Sequence, residues 1–378
     1  DLPAHPGSPE APDLPGTPDS PADPVALVDE AALGAFLSEV VPPYRELSVS
    51  LLAGGASNLT YLVRLDDRPY VLRRRPMGHV APRAHDMHRE FTILAGLHGS
   101  GIPVPRVHGF HGGDDVAGAP CYLMDFAAGA VIHGPSDAGQ LDADQADQCC
   151  ARLVETLAAL HAVDWRALAV EGFTDRSAGR PGGFVGRRID SWLRQWRSVE
   201  HRDLPQVEEL GTLLLRDVPT QARSTLVHGD YRLGNVVLDL TGQVRIQALL
   251  DWELSTVGDP LTDLAHLLVY WEPSRGRVTH PAQLITRRPG FADGAALTAR
   301  YAALTGADVT NLRYYLAFEH WRAAVIKDAM YLRQRRYGGE AGAGAGAVGE
   351  AVLLHLDEAR DLLGDVPAPG RTRGGSTR

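Results

Sequence analysis

The run LVHGDYRLGNVVLD, Leu226 to Asp239, sets a histidine, two aspartates and an asparagine between strand-like apolar segments, and Asp251 follows at the end of the next apolar segment, RIQALL. Short strands flanking a polar loop bring their ends to one edge. Asp230 and Asn235 are separated by four residues within that loop. Such a gap turns both side chains toward one cleft, and a third carboxylate at the next strand end joins them there. The chain must therefore fold so that a small stranded element opens onto a polar cleft.

The sequence to either side divides into two unlike halves. From Glu46 to Arg75 the segments ELSVSLLA, NLTYLVRL and PYVLRRR alternate with a period of two, broken by GGASN and DDRP, which are turn sequences. A helix is expected around Ala84 to His98, where Phe91, Leu94 and Leu97 recur at helical spacing, followed by strands at PVPRVHGF and APCYLMDF. This gives an α+β lobe of five antiparallel strands and one helix. Beyond AAGAVIHGP the pattern becomes helical, with long helices predicted near Ala143 to Val163, Gly183 to His201, Leu204 to Arg216, Pro260 to Trp271, Gly290 to Leu304 and Asn311 to Tyr337, and a last one after EAGAGAGAVGEA. The expected division is a tail over residues 1–24, a first lobe over 25–128, a helical lobe over 129–365 and a second tail over 366–378. Both tails are expected to be disordered; the first is proline-rich, acidic and free of aromatic residues.

Composition narrows the functional classes. A chain of 378 residues with a formal charge of −10 disfavours non-specific binding to nucleic acid. No apolar run is long enough for a membrane helix, so no membrane partner is expected. The three cysteines, Cys121, Cys149 and Cys150, make an odd count without a C-x-x-C pair, which fits a reducing cytoplasm better than a disulfide or zinc framework.

The spelling H-G-D-x-x-x-x-N from His228 to Asn235 has the spacing of the kinase catalytic loop, with Gly229 in place of its arginine. On that spacing Asp230 is the candidate base for a hydroxyl proton and Asn235 a metal ligand. Asp251 adds the carboxylate oxygen that Mg²⁺ prefers. Together, VHGDYRLGNVVLD and ALLDWELSTVGDPLTDLAHLL resemble the aminoglycoside phosphotransferase family, and within it the branch similar to the kinase-like domain joined to some acyl-CoA dehydrogenases. The likeness runs from about Leu51 to Trp271. It implies a bilobal protein-kinase-like fold, ATP with Mg²⁺, and phosphoryl transfer to a small-molecule hydroxyl.

The resemblance also implies roles in the first lobe. The adenine roof and the phosphate-gripping cation stand two residues apart on one strand, at Val71 and Arg73, where the period-two rule turns both toward the cleft. Arginine thus replaces the family's lysine; it keeps the charge and grips oxygen pairs in a fork. Glu90 is its expected partner. The phosphate-covering turn falls at AGGASNLTY, with Gly54 and Gly55 for close approach and Ser57 or Asn58 as donors, although it lacks the G-x-G-x-x-G spelling. The adenine edge is expected against backbone groups of Asp125 to Ala127.

Around the second aspartate, Asp259 and Pro260 read as a helix start. Asp263 resembles the aspartate that fixes the catalytic-loop backbone, with His228 as a further structural support. Trp252 is expected to pack, and Glu253 either reaches a second metal or, preferably, caps the following turn. Glu319, His320 and Trp321 sit where an acceptor pocket is expected, with His320 read as structural. Three other functions remain open: a catalytically silent nucleotide-binding module, an aminoglycoside-modifying kinase, and a metal-dependent hydrolase. Among acceptors, a metabolic alcohol or hydroxyacyl compound is preferred to an aminoglycoside.

Overall fold

The computed structural model describes residues 28–53, 58–75, 86–168, 170, 173–175, 182–199, 201–273, 276–337 and 345–364. Both tails, and the turn residues Gly54, Gly55 and Ser57, lie outside these residues.

The first lobe is built on strands β1 (Leu47–Ala53), β2 (Leu59–Leu65), β3 (Arg68–Arg74), β4 (Val107–His111) and β5 (Cys121–Asp125). They form one antiparallel sheet in the order β1-β2-β3-β5-β4. The β2–β3 hairpin turns tightly because Asp66 adopts a left-handed φ of 54° and its carboxylate accepts the amides of Arg45 and Glu46, each at 3.0 Å. Aspartate tolerates that backbone region better than most residues.

The alternation read from the sequence sorts the sheet's two faces into two cores. Tyr61, Val63, Tyr70 and Leu72 pack on one side with Leu33, Phe36 and Leu37 of helix α1 (Glu30–Val40). Val71 and Met124 join the main core on the other side, with Ile93, Leu94 and Leu97 of α2 (Met87–Leu97). Helix α1 is an addition to the single helix expected in this lobe. Its apolar residues follow helical spacing, and Asp29 caps it by accepting the Ala32 amide at 2.8 Å.

The chain leaves β5 and is stitched at once to the second lobe. Ala130 exchanges backbone hydrogen bonds of 2.8 Å with Leu238 in both directions. Gly129 is needed beside it, since a Cβ there would stand 2.5 Å from the Leu238 carbonyl oxygen. The second lobe comprises α3 (Ala143–Ala162), α4 (Gly183–Ser198), α5 (Pro205–Arg216), α6 (Leu261–Trp271), α7 (Gly294–Thr305), α8 (Leu312–Tyr337) and α9 (Ala345–Gly364). Among them lie two antiparallel ribbons, β6 (Thr225–Val227) with β9 (Thr256–Gly258), and β7 (Val236–Asp239) with β8 (Arg245–Leu249). The loop between β6 and β7 carries Asp230 and Asn235, and the turn between β8 and β9 carries Asp251. Pairing β6 with β9 and β7 with β8 forces these two connections to the same end.

Candidate active site

The catalytic-loop candidate is held by its backbone. Asp263, in the first turn of α6, accepts the amides of His228 at 2.6 Å and Gly229 at 2.8 Å. His161 of α3 supports the same carboxylate at 3.2 Å and meets the Tyr301 hydroxyl at 2.7 Å through its other nitrogen. Burial, the largest influence on Asp263, disfavours its charge, but these donors outweigh it and lower its pKa. Gly229 has φ +85°, and a Cβ would lie 2.7 Å from the Leu254 carbonyl oxygen, so glycine is required where the kinase spelling has arginine. The His228 ring donates from Nε2 to the Leu250 carbonyl at 3.0 Å, which leaves Nδ1 to accept the Asp230 amide at 3.3 Å. Burial lowers the His228 pKa and keeps this ring neutral.

Asp230 projects from that frame into a ring of donors. Asn235 Nδ2 reaches its carboxylate at 2.7 Å and its carbonyl at 2.8 Å, Arg232 Nε approaches at 3.2 Å, and His266 Nε2 lies 2.7 Å from Oδ1. Burial alone raises the Asp230 pKa, yet the hydrogen bond and charge of His266, followed by Arg232, reverse this and hold it well below the usual carboxylate range. The group is an ionised, oriented acceptor at neutral pH.

Asn235 uses its amide nitrogen for both bonds to Asp230, so its amide oxygen remains the atom for a hard cation. The Leu250 amide donates to the Asn235 carbonyl at 2.9 Å, tying the loop to the residue before Asp251. Asp251 itself occupies the left-handed region, φ 69° and ψ 63°, an uncommon conformation for a residue with a side chain. One of its carboxylate oxygens pairs with Arg73 Nη2 at 2.6 Å. These are oxygen donors of the kind Mg²⁺ takes, and Mg²⁺ characteristically completes its shell with water and phosphate. Among the described residues no group of three or more His, Cys, Asp or Glu is arranged to hold a metal ion, which is the ligand set a two-metal hydrolase needs.

Arg73 is one of the links between the lobes. Its Nε faces Glu90 Oε2 at 3.3 Å without hydrogen-bond alignment, a Coulombic contact, while Nη2 makes the short bond to Asp251. Burial opposes its charge most strongly, but Glu90 and Asp251 outweigh that and raise its pKa. Glu90 is 1% exposed. Burial raises its pKa, and sharing one arginine with Asp251 leaves its charge incompletely neutralised. Val71 lies on the same face of β3, two residues before Arg73, as the strand period requires.

Glu253, expected to cap the following turn, reaches across to the first lobe. Its Oε2 accepts Asn58 Nδ2 at 3.2 Å, connecting the start of β2 to the segment after Asp251. Burial, then the charges of Asp251 and Glu90, push its pKa up to about 7. At the lobe connection the Asp125 amide donates to the Arg106 carbonyl at 2.8 Å and its carboxylate meets His108 at 2.6 Å. That amide is therefore engaged within the lobe, while Ala127 follows beyond the strand end.

Sequence reasoning missed His266 and Arg232 and left Glu319 without a partner. His266 Nδ1 lies 2.9 Å from Glu319 Oε2, and Arg322 pairs with the same oxygen at 2.6 Å. The signal was present in helical spacing: His266 stands three residues after Asp263 and Arg322 three after Glu319, so each pair shares one helix face. His320 turns away to His355 at 2.9 Å, the structural role expected of it.

This two-lobed architecture and loop geometry agree with comparisons to known proteins. The phosphotransferase enzyme family matches residues 48–304. The chain belongs to this family. Mouse acyl-CoA dehydrogenase family member 10 is 34% identical over 283 residues, covering 74% of this chain and 26% of that protein. This phosphotransferase-family chain thus spans about a quarter of that relative. A crystal structure of a Ralstonia eutropha protein, provisionally assigned as an aminoglycoside phosphotransferase, superposes with a TM-score of 0.69 at 26% identity, covering 88% of this chain and 99% of that one. A ternary complex of aminoglycoside phosphotransferase APH(4)-Ia with AMP-PNP and hygromycin B shares the fold, with a TM-score of 0.54 at 19% identity over 85% of this chain and 98% of that one. The fold is the bilobal kinase-like one. No helix among the described residues is long and apolar enough to cross a membrane.

Proposed function

We propose that this protein transfers the γ-phosphoryl group of ATP to a hydroxyl of a small metabolite, an alcohol or hydroxyacyl compound in preference to an aminoglycoside. The observation that carries the reading is the Asp230 carboxylate, ionised and aimed by Asn235, Arg232 and His266 from a loop whose backbone Asp263 fixes. A silent nucleotide-binding module has no need of such an oriented acceptor.

In this reading Asp230 orients the acceptor hydroxyl and takes its proton as the bond to phosphorus forms. Asn235 and Asp251 hold Mg²⁺, which neutralises phosphate charge when bound. Arg73, ordered by Glu90, grips phosphate oxygens, and Val71 roofs the adenine, whose edge pairs with backbone near Ala127. Gly55, Ser57 and Asn58 belong to the phosphate-covering turn, of which Asn58 alone is described. His228 and Asp263 keep the loop in shape. The nucleotide-binding lobe is taken as residues 25–128 and the acceptor lobe as 129–365. The AMP-PNP complex of the structural neighbour supports a nucleotide in this fold, and free, buried Cys121, Cys149 and Cys150 suit a reducing cytoplasm.

The transition state of such a transfer is loose, so positioning and charge stabilisation supply most of the acceleration. The test is ADP release with Mg-ATP against sugars, amino alcohols, hydroxyacyl thioesters and aminoglycosides. Release that depends on an acceptor other than an aminoglycoside supports the proposal. Measurable Mg-ATP binding with no acceptor-dependent release across the panel would favour the silent module.

A further inference from the structure

A small recess of about 10 Å³ lies against the catalytic loop, lined by Phe184, Arg188, Gly229, Leu254, Phe318 and Arg322 among others. Gly229 is the immediate neighbour of Asp230, so the cavity adjoins the position where an acceptor must bind. Its lining mixes aromatic and aliphatic groups with two guanidinium groups, and these two differ in how their charge is met.

Arg322 is 4% exposed and satisfied: it pairs with Glu319 at 2.6 Å and donates to the Gly229 carbonyl at 3.3 Å. Arg188, from α4, is half-buried and makes no hydrogen bond or ion pair with any described residue. Its guanidinium only faces the rings of Phe184 and Trp192, at 6.0 and 5.9 Å from their centroids. Burial, and after it the neighbouring charge of Arg322, pull its pKa down to about 10. It remains a cation at neutral pH, held where its charge is disfavoured.

Arg232 approaches the base at 3.2 Å, and Lys327 donates to the Thr279 carbonyl at 3.3 Å, its pKa lowered by burial and then by Arg232. Around these cations stand the carboxylates of Asp230, Glu319, Asp251, Glu253 and Asp263, the last turned to backbone amides and His161, and Arg232 and Arg322 are engaged with Asp230 and Glu319. A polycation such as an aminoglycoside would meet like charge here. An anion would meet a guanidinium whose fork matches a carboxylate or phosphate and has no hydrogen-bond or ion-pair partner among the described residues.

We infer that the phosphoryl acceptor carries an anionic head group, carboxylate or phosphate, which pairs with Arg188 while its hydroxyl is presented to Asp230. This deepens the phosphotransfer reading and rests on it. The chemistry of the step is unchanged: the hydroxyl oxygen forms a bond to the γ-phosphorus, the bond from that phosphorus to the bridging oxygen breaks with its electron pair leaving on ADP, and the hydroxyl proton passes to Asp230.

The experiment uses the full chain with Mg-ATP and four probe sets: straight-chain hydroxycarboxylates of increasing length, glycerol phosphates, the uncharged diols of matching length, and kanamycin. Turnover is measured for each, and binding of the same probes to the Mg-AMP-PNP-loaded protein is measured by calorimetry. The expected result is preference for one anionic series over the diols and kanamycin, with the preferred series showing whether the head group is carboxylate or phosphate. Arg188→Gln should then raise the KM of that anion by roughly ten- to a hundredfold, the worth of a charge-assisted hydrogen bond, leave the KM for ATP near its starting value, and be partly rescued by Arg188→Lys. Equal or better use of the diols or kanamycin, or an anion KM unmoved by Arg188→Gln, overturns the inference while leaving phosphotransfer intact. Anion binding that is lost in Arg188→Gln, without turnover of any probe, supports the anion site and counts against the phosphotransfer reading. Absence of binding by every anionic probe overturns the anion site.

Discussion

The two halves of the candidate site are fastened in different ways. On the acceptor side, Asp230 is held by Asn235, Arg232 and His266, and the loop beneath it by Asp263, so removal of any one contact leaves others in place. On the nucleotide side, one guanidinium spans Glu90 and Asp251, while the neighbouring contacts between the lobes, Asn58 to Glu253 and Arg89 to the Glu253 and Ser255 carbonyls, are made to residues beyond Asp251. The proposed base is organised in the absence of any ligand. The nucleotide side instead keeps a proposed metal ligand paired with the residue proposed to grip phosphate. If Arg73 grips phosphate and Asp251 holds the metal as proposed, the Arg73–Asp251 pair would have to open for a nucleotide to bind, so binding should loosen one of the contacts that join the lobes.

The variants that break this contrast rank by size. Asp230→Asn, which keeps the shape and removes the charge, should lower turnover by on the order of 10²–10⁴-fold, the usual worth of a positioned base, with Mg-nucleotide affinity from calorimetry nearly unchanged. Asp251→Ala should do the reverse to binding: Mg-nucleotide affinity is lost at concentrations that saturate the parent, and an unchanged isotherm would remove Asp251 from the metal site. Arg73→Ala leaves the Glu90 carboxylate buried and unpaired, a loss of about 3–5 kcal/mol in a urea titration. Arg73→Lys is the sharper variant, because a point charge does not span two carboxylates as a fork does; it should retain more of the stability than alanine does.

The smallest expected effect is at His266. His266→Gln keeps a donor toward Asp230 but removes the charge, and turnover should fall by about tenfold, the worth of one charge-assisted bond. The sign of the pH effect follows from the folded-state shift. His266 helps to depress the Asp230 pKa, so its loss lets that pKa rise, and the acid limb of the kcat profile should move to higher pH. A limb that stays in place would show His266 to be packing alone.

How much of this was legible depended on whether a contact is local or made across the fold. The loop spelling, the strand on either side and the placement of Val71 and Arg73 on one face follow from spacing within short segments, where periods of two and 3.6 fix direction. The Asp263 contact was legible through the resemblance. His266 was hidden because a histidine on an apolar helix carries no mark of what it faces; its three-residue offset from Asp263 becomes informative only once Asp263 is known to face the loop. The bond from Arg73 to Asp251 joins residues 178 apart in sequence and has no local signature. Helix α1 was passed over beside the proline-rich tail, although Leu33, Phe36 and Leu37 keep helical spacing.

The measurement that tests the central claim most directly is the fate of label from γ-labelled ATP, followed in the parent protein and in Asp230→Asn with a reactive hydroxyl acceptor present. Phosphoryl transfer by this site predicts label covalently attached to the acceptor in the parent and reduced by at least about a hundredfold in the variant. Label recovered only as free phosphate, or equal transfer by both proteins, would contradict it.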